Sequence, residues 1–408
     1  MSLAPVLGIV GGSLALMLVR PRKIPESWWV CGGATLLVAT GQLAPRDALH
    51  AVAGGLDVYT FLAGMMLLAE LARESGVFDW LAALAIQRAD TSRRLFVLVY
   101  AVGVVVTTFL SNDATAVVLT PAILVAAKKA KVDPLPHLFV CALVANAASF
   151  VLPISNPANL VVFHGAMPSL AGWLRSFALP SVASIAITFF LLRAVFRRRL
   201  EQAIRVEIEE PPLGRRGRRA LIGLGVTSLG LVAASAAHLE LGLPTLGCAV
   251  VLALVTRQPL AKLAKGISKR TLFLVAGLFV FVEAVEKVGA LDATRAWLAR
   301  LDALPLPLAT LAAALGVGVT NNVVNNLPLG LLTGATLGAS HPRPEMTRAL
   351  LLGVDLGPNL ATTGSLATIL WLIALRREGI HVGFREFLKV GAVVMPPALI
   401  GATLAALL

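Results

Sequence analysis

This chain of 408 residues has the composition of a membrane protein, because 57% of its residues are hydrophobic and only 14% are charged. Soluble domains carry about 25% charged residues, so no sizeable soluble domain is expected. The formal net charge of +13 does not indicate nucleic-acid binding, because the basic residues lie in short groups between apolar runs.

Ten apolar runs are predicted to cross the membrane. A helix needs roughly 20 apolar residues to cross the hydrocarbon core, and these runs approach or exceed that length. In chain order they cover about 3–20, 27–44, 55–73, 136–163, 176–196, 220–237, 243–256, 271–288, 348–375 and 387–407.

Two further apolar stretches, 94–128 and 304–340, are each interrupted by polar residues. The interruptions are Ser111-Asn112-Asp113 in the first stretch, and Asn321-Asn322 and Asn325-Asn326 in the second. From Ala114 to Ala127 is about 21 Å of helix, which is short of a hydrocarbon core of roughly 30 Å. We therefore predict two re-entrant hairpins, whose irregular tips must be lined by protein or water. The alternative is two short tilted spans in each stretch.

The basic residues predict the orientation of the segments. If Arg20–Lys23 are cytoplasmic, 28 of the 35 Lys and Arg residues fall on the cytoplasmic side. Cytoplasmic loops carry such an excess, so both termini are expected on the non-cytoplasmic side. The longest polar stretch then forms a cytoplasmic linker over residues 200–218.

An internal repeat divides the chain into two halves. At a constant offset of 213 residues the matching positions are Gly64 and Gly277, Glu70 and Glu283, Gly76 and Gly289, Asp79 and Asp292, and Asn112-Asp113 and Asn325-Asn326. Each half holds five spans and one hairpin. An odd number of spans inverts the second copy, which is the plan of many secondary transporters.

The predicted fold is thus an all-α polytopic membrane protein with about ten transmembrane helices, two re-entrant hairpins and inverted five-span repeats. The first repeat is predicted over 1–199, with a hairpin at about 94–128 that enters from the cytoplasm. The second is predicted over 219–408, with a hairpin at about 304–340 that enters from outside. The two hairpin tips can then meet near the midplane.

Helix breaks are predicted in the fourth and ninth spans, within LPISNPAN (152–159) and DLGPNLATTGSLAT (355–368). A proline interrupts the helical hydrogen bonds in each segment. The residues expected to cap the helices after these breaks and after the hairpin tips are Asn156, Ser365, Asp113 and Asn326. Four helix N-termini, with their free amides, would then converge at the centre.

The clear mid-segment carboxylates of these four elements are Asp113 and Asp355, and no Lys or Arg accompanies them between the end loops. A carboxylate at that depth costs a few kcal/mol, so a functional use is the default hypothesis. Burial raises the pKa of a carboxyl group towards the physiological range, as a proton carrier requires. Two acids without a base favour a cation, or a neutral polyol-like solute exchanged for protons, over an anion.

Other chemistry is not indicated by the sequence. Cys31, Cys141 and Cys248 lie in three separate apolar segments without CxxC spacing, so we interpret them as packing residues and expect no metal site. The chain has no HExxH, GxSxG or P-loop motif, so we expect a transporter without a cofactor, and not an enzyme.

Three segments resemble the arsenite efflux pump family (ArsB) of the ion transporter superfamily: FLSNDATAVVLTP (109–121), NNLP (325–328) and GVDLGPNLATTGSLATILWL (353–372). The similarity spans essentially the whole chain. It implies export of neutral arsenite and antimonite trihydroxides across the cell (inner) membrane in exchange for protons. It also implies that a cytosolic arsenite-stimulated ATPase is a candidate partner, and the superfamily suggests a homodimer. Val354 departs from the cysteine found there in some arsenite pumps.

Our hypothesis makes Asp113 the main proton carrier and Asp355 its partner. The residues expected to bind the substrate are Ser111, Asn112, Ser155, Asn156, Asn325, Asn326, Thr363 and Ser365. One alternative is a sodium/proton antiporter or another ion transporter of the same superfamily, and the other is the membrane subunit of an ATPase-driven arsenite pump. An anion importer is disfavoured by the missing bases.

Overall fold

A computed structural model of the chain describes residues 2–19, 21–163, 167–204 and 213–408. Within these ranges the chain forms helices and turns, with no strand beyond an isolated β-bridge between Thr91 and Ala203. The expected all-α fold is therefore confirmed for the described residues. Residues 205–212 of the linker predicted over 200–218 lie outside them, as does Arg20.

The described residues before the linker form ten α-helices. They are α1 (Leu3–Val19), α2 (Glu26–Ala39), α3 (Pro45–Gly54), α4 (Leu56–Glu74), α5 (Val77–Gln87), α6 (Ser92–Phe109), α7 (Thr120–Lys129), α8 (Leu135–Ala147), α9 (Pro157–Val162) and α10 (Leu170–Val195). A π-helical turn, Ala114–Leu119, precedes α7, and a 3₁₀ turn, Pro153–Ser155, precedes α9.

The described residues after the linker form ten more. They are α11 (Arg215–Ala236), α12 (Gly242–Val255), α13 (Leu260–Leu263), α14 (Lys269–Lys287), α15 (Leu291–Asp302), α16 (Leu306–Val324), α17 (Asn326–Ser340), α18 (Pro344–Leu356), α19 (Leu366–Arg377) and α20 (Phe384–Ala405). A 3₁₀ turn, Gly357–Asn359, follows α18.

Local sequence signals set several of these helix starts. Side-chain oxygens of Thr91, Ser169 and Ser268 accept hydrogen bonds from backbone amides in the first turns of α6, α10 and α14. Such caps satisfy N–H groups that have no partner within the helix. The apolar runs that follow bury some of their large side chains, among them Phe96 on α6 and Trp173 on α10, and leave others exposed, such as Phe190 on α10.

The helices pack across the two halves in a reciprocal pattern. Helix α4 packs against α12, and its counterpart α14 packs against α2. Similarly, α6 lies against α8 in the first half and α16 against α18 in the second, while α10 and α20 pack on each other. A two-fold relation between the halves predicts this exchange of partners. The inverted orientation of the second repeat stays a prediction.

The number of membrane spans also stays a prediction. By length and composition, five helices among the described residues are able to cross a membrane, namely α6, α10, α11, α16 and α20. Helices α3 and α4 are bent by 45° and make a sixth candidate if they form one span. Helices α6 and α16 are the first arms of the two predicted hairpins, so their length is also compatible with full spans.

Candidate functional site

The first hairpin turns at Leu110 and Ser111, and its returning arm begins at Asn112. The Oγ of Ser111 accepts a hydrogen bond from the backbone N of Ala114 at 3.2 Å. The prediction that Asp113 caps this arm is wrong, because the helix begins before Asp113 and its side chain makes no capping bond. The carboxylate is therefore available for another role. The π-helical turn that follows is a feature often found at functional sites.

The second hairpin turns at Asn325, whose φ of +81° reverses the chain. Asparagine tolerates positive φ better than most residues. Its Oδ1 accepts a hydrogen bond from Leu327 N at 3.5 Å, so Asn325 caps α17. The prediction that Asn326 is the cap is therefore wrong by one residue.

The breaks in the fourth and ninth predicted spans are confirmed. Helix α8 ends at Ala147 and α9 begins at Pro157, and α18 ends at Leu356 before α19 begins at Leu366. Both predicted caps are present. The Oδ1 of Asn156 accepts from Ala158 N at 3.0 Å, and the Oγ of Ser365 accepts from Thr368 N at 3.0 Å.

Residues from these four helix N-termini line one small central cavity, so the expected convergence is confirmed. Its walls also include one residue each from α4 and α14. The lining residues are Leu62, Asn112, Asp113, Asn156, Pro157, Thr271, Asn326, Leu327, Leu366 and Ala367. It offers about 10 Å³ to the centre of a water-sized molecule. That is about the room one water molecule needs.

Two side-chain acceptors in the lining of this central cavity have no hydrogen-bond donor among the described residues. The half-buried carboxylate of Asp113 makes no hydrogen bond or ion pair with any residue that the structure describes. The buried Oδ1 of Asn326 has no donor. The Oδ1 of Asn112 accepts a hydrogen bond from Asp113 N at 2.9 Å. Among the described lining residues there is no Lys, Arg or His.

Asp355 lies outside the lining and is fully buried. Its Oδ2 is 2.8 Å from the Oγ of Ser149, and its Oδ1 accepts from Nδ2 of Asn156 at 2.8 Å. Asn156 also lines the central cavity, so one asparagine links Asp355 to it. A second bridge between the halves runs from Asn146 Nδ2 to Asn359 Oδ1 at 2.9 Å.

The other predicted substrate-binding residues hold the backbone around the cavity and do not line it. Ser155 donates to Thr108 O at 2.9 Å, which ties the first broken span to the first hairpin. Asn325 donates to Thr363 O at 3.1 Å, which ties the second hairpin to the second broken span. Direct contact of the substrate with Ser111, Ser155, Asn325, Thr363 or Ser365 stays a prediction.

Sequence reasoning missed Ser149 and Asn359 in the polar network, and Leu62 and Thr271 in the lining. Leu62 and Thr271 lie on long apolar helices and carry no local signal. Ser149 and Asn359 lie beside the helix breaks, and this position is the signal in the sequence that indicates them. None of the three cysteines lines the central cavity.

A neighbouring cavity of about 280 Å³ shares Thr271 and Leu366 with the central one and is lined also by Glu26 and Arg270. The distribution of basic residues predicts that this end faces the cytoplasm. Two larger cavities, of about 660 and 490 Å³, lie around Asp57 and Glu283 and share no lining residue with the central cavity. The central cavity therefore shares part of its wall with the cavity at the predicted cytoplasmic end.

Comparison with known proteins agrees with the transporter fold. The chain matches the CitMHS family, "Citrate transporter", over residues 14–375. It is 26% identical to the arsenical pump membrane protein of Escherichia coli, over 97% of this chain and 96% of that protein. The corresponding protein of Yersinia enterocolitica is 27% identical, over the same shares. A solved structure, the Alcanivorax borkumensis YdaH transporter, has a TM-score of 0.58 at 16% identity, and the match covers 88% of this chain and 86% of that one.

These similarities extend over nearly the whole chain, and they confirm the resemblance seen in the hairpin and broken-span segments. The chain belongs to the CitMHS family and is a multi-pass membrane transporter.

Proposed function

We propose that this transporter exports arsenite and antimonite, as neutral trihydroxides, from the cytoplasm in exchange for protons. The observation that carries the proposal is the polar lining of the central cavity. Asp113 and Asn326 present acceptor oxygens, and no base lies among the described lining residues. A trihydroxide offers three hydroxyl groups that donate to such oxygens, and it needs no counter-ion. Relatives named arsenical pump membrane protein support the same substrate.

Asp113 is the proposed proton carrier because its carboxylate lines the cavity without a partner among the described residues. Loading of substrate hydroxyls against the ionised carboxylate favours the ionised form, since hydrogen bonds to a charged acceptor stabilise the charge. Protonation from the opposite side weakens those bonds and favours release. Asp355 acts as its partner through Asn156.

The proposed loading side is the predicted cytoplasmic end. The central cavity adjoins the cavity beside Glu26 and Arg270, at the end predicted to face the cytoplasm. Substrate loads from that end. Release requires a rearrangement that opens the site towards the cavities around Asp57 and Glu283.

Citrate is the second candidate, because the matching family carries that description. Citrate is a polyanion near neutral pH, and its carboxylates are hydrogen-bond acceptors that Arg or Lys usually bind. A cavity that presents its own carboxylate and no base repels such a ligand, although helix N-termini offset part of the repulsion.

A sodium/proton antiporter would use the same oxygens for a hard cation. An ATPase-driven pump would keep the trihydroxide as substrate and change only the energy source.

Expression in a bacterial host that lacks its own arsenite exporter separates these functions. We expect resistance to arsenite and antimonite, with no gain in sodium tolerance and no growth on citrate. Matched expression of Asp113→Asn should leave the host sensitive. Sodium tolerance or citrate uptake without metalloid resistance would refute the proposal. Resistance that requires a co-expressed ATPase would assign the chain to the ATP-driven class.

A further inference from the structure

Ser149 lies in the break between α8 and α9 and is fully buried. Its single hydroxyl has two acceptors at the same distance. The backbone oxygen of Asn146 is 2.8 Å from Ser149 Oγ, and Oδ2 of Asp355 is also 2.8 Å from it. A serine hydroxyl carries one proton, so it donates to only one of these oxygens at a time.

Both choices leave a complete set of hydrogen bonds, but for different protonation states of Asp355. When Asp355 carries a proton on Oδ2, it donates to Ser149 Oγ, and the serine donates to Asn146 O. When that proton leaves for bulk water, one negative charge stays on the carboxylate. The serine hydroxyl then rotates and donates to Asp355, while Asn146 O keeps its bond from Ser149 N at 3.3 Å. No heavy atom has to move.

Among the described helices packed on α18, no charged side chain is placed to balance the charge of Asp355. Of the helices packed on α18, the helices α9, α16 and α17 contain no charged residue. His137 on α8 is bound to the backbone oxygens of Asp133 and Ser92. Arg385, Glu386 and Lys389 lie in the first two turns of α20, and on α18 itself Arg348 pairs with Glu345. Asp113 lines the central cavity, and Asp355 does not.

We propose that Ser149 is a positioning residue whose rotating hydroxyl allows the buried Asp355 to take up and release a proton reversibly. Ser149 holds Asp355 in both protonation states. Asn156 connects the protonation state of Asp355 to the central cavity, because it donates to Oδ1 of Asp355 and lines that cavity. The role in transport rests on the proposed function, whereas the titration of Asp355 does not.

Infrared difference spectroscopy on the purified full chain, titrated with acid and base, tests the inference without any substrate. The band of a protonated carboxyl group that is lost in Asp355→Asn, but kept in Asp113→Asn, belongs to Asp355. In Ser149→Ala we expect the midpoint of this band to move to higher pH by about one to two units. The alanine variant loses the hydrogen bond that Ser149 donates to the ionised carboxylate of Asp355. Because hydrogen bonds to the ionised form are stronger than those to the neutral form, their loss favours the protonated carboxyl group.

Two further variants complete the test. Ser149→Cys keeps a weak donor and should shift the midpoint in the same direction, but by less. This variant also provides the test if Ser149→Ala does not fold. Ser184→Ala is the matched control, because Ser184 is equally buried and donates to Ala147 O at 2.9 Å, without touching a carboxylate. It should leave the midpoint unchanged.

An unchanged midpoint in folded Ser149 variants, or the absence of any titrating band assigned to Asp355, overturns the inference. A wild-type protein that shows the titration but does not move arsenite overturns only the proposed function.

Discussion

Asn156 in the first half of the chain donates a hydrogen bond from Nδ2 to Oδ1 of Asp355 in the second half, at 2.8 Å. The same side chain caps α9 through Ala158 N and lines the central cavity. The charge of Asp355 therefore acts on the helix that borders the cavity. This gives the two halves of the repeat a direct polar connection at the site.

Replacement of Asn156 should reveal this double role. Asn156→Ala removes a helix cap and leaves a buried acceptor unpaired, so the free energy of unfolding should fall by about 2–4 kcal/mol. Ser169→Ala is the control, because Ser169 only caps α10, with Oγ 3.1 Å from Gly172 N. It should cost about 1 kcal/mol. Melting temperatures of the two purified variants rank the effects, and equal losses would contradict the proposed link to Asp355.

Loss of the Asp113 carboxylate should uncouple transport from protons. Asp113→Asn keeps the size of the side chain but cannot exchange a proton, so proton-driven arsenite efflux should fall to the level of vesicles without the protein. Asp79→Asn, an exposed aspartate on α5, should transport like the wild type. The measurement is the initial rate in reconstituted vesicles. Wild-type rates in Asp113→Asn would exclude its role as proton carrier.

Asn326 should contribute to substrate affinity more than to turnover. Its Oδ1 is buried without a donor, so a substrate hydroxyl would supply the missing hydrogen bond. Asn326→Ala removes that bond and should raise KM about two- to tenfold. Thr336→Ala is the control on the same helix, because Thr336 bonds Thr294 at 3.0 Å and does not line the cavity. A KM equal to the wild type in Asn326→Ala would remove Asn326 from the binding site.

Close packing of α17 on α9 should depend on one glycine. A Cβ at Gly334 would lie 2.7 Å from Val162 O and 2.9 Å from Val161 O, whereas a Cβ at Gly338 would meet nothing within 4 Å. Gly334→Ala should therefore destabilise the protein by about 1–3 kcal/mol, and Gly338→Ala should not. Thermal unfolding of the pair is the measurement. Equal stability would show that α9 and α17 separate at little cost.

The sequence predicts the elements of the site better than the contacts within it. The repeat and the proline-containing breaks identify the four helix N-termini, and Asn156 and Ser365 cap their helices as expected. The hairpin caps shift by one or two residues, to Ser111 and Asn325. Asn, Ser and Asp are all good capping residues, so a run of them does not specify where the helix begins.

Side chains that act across the repeat are not predictable from one half alone. Ser149 and Asp355 are neighbours only because α8 and α18 pack together. The sequence also places both aspartates in one class, whereas in the structure Asp113 lines the cavity and Asp355 lies outside it. Whether an aspartate lines the cavity or lies outside it depends on how the broken helices pack, and no local sequence pattern predicts that packing.

Uptake of radiolabelled arsenite into everted membrane vesicles tests the central claim most directly. An acidic vesicle interior should drive accumulation of arsenite, and a protonophore or Asp113→Asn should remove it, while labelled citrate should not accumulate. Citrate accumulation in place of arsenite, or arsenite movement that is the same with and without the proton gradient, would contradict the account.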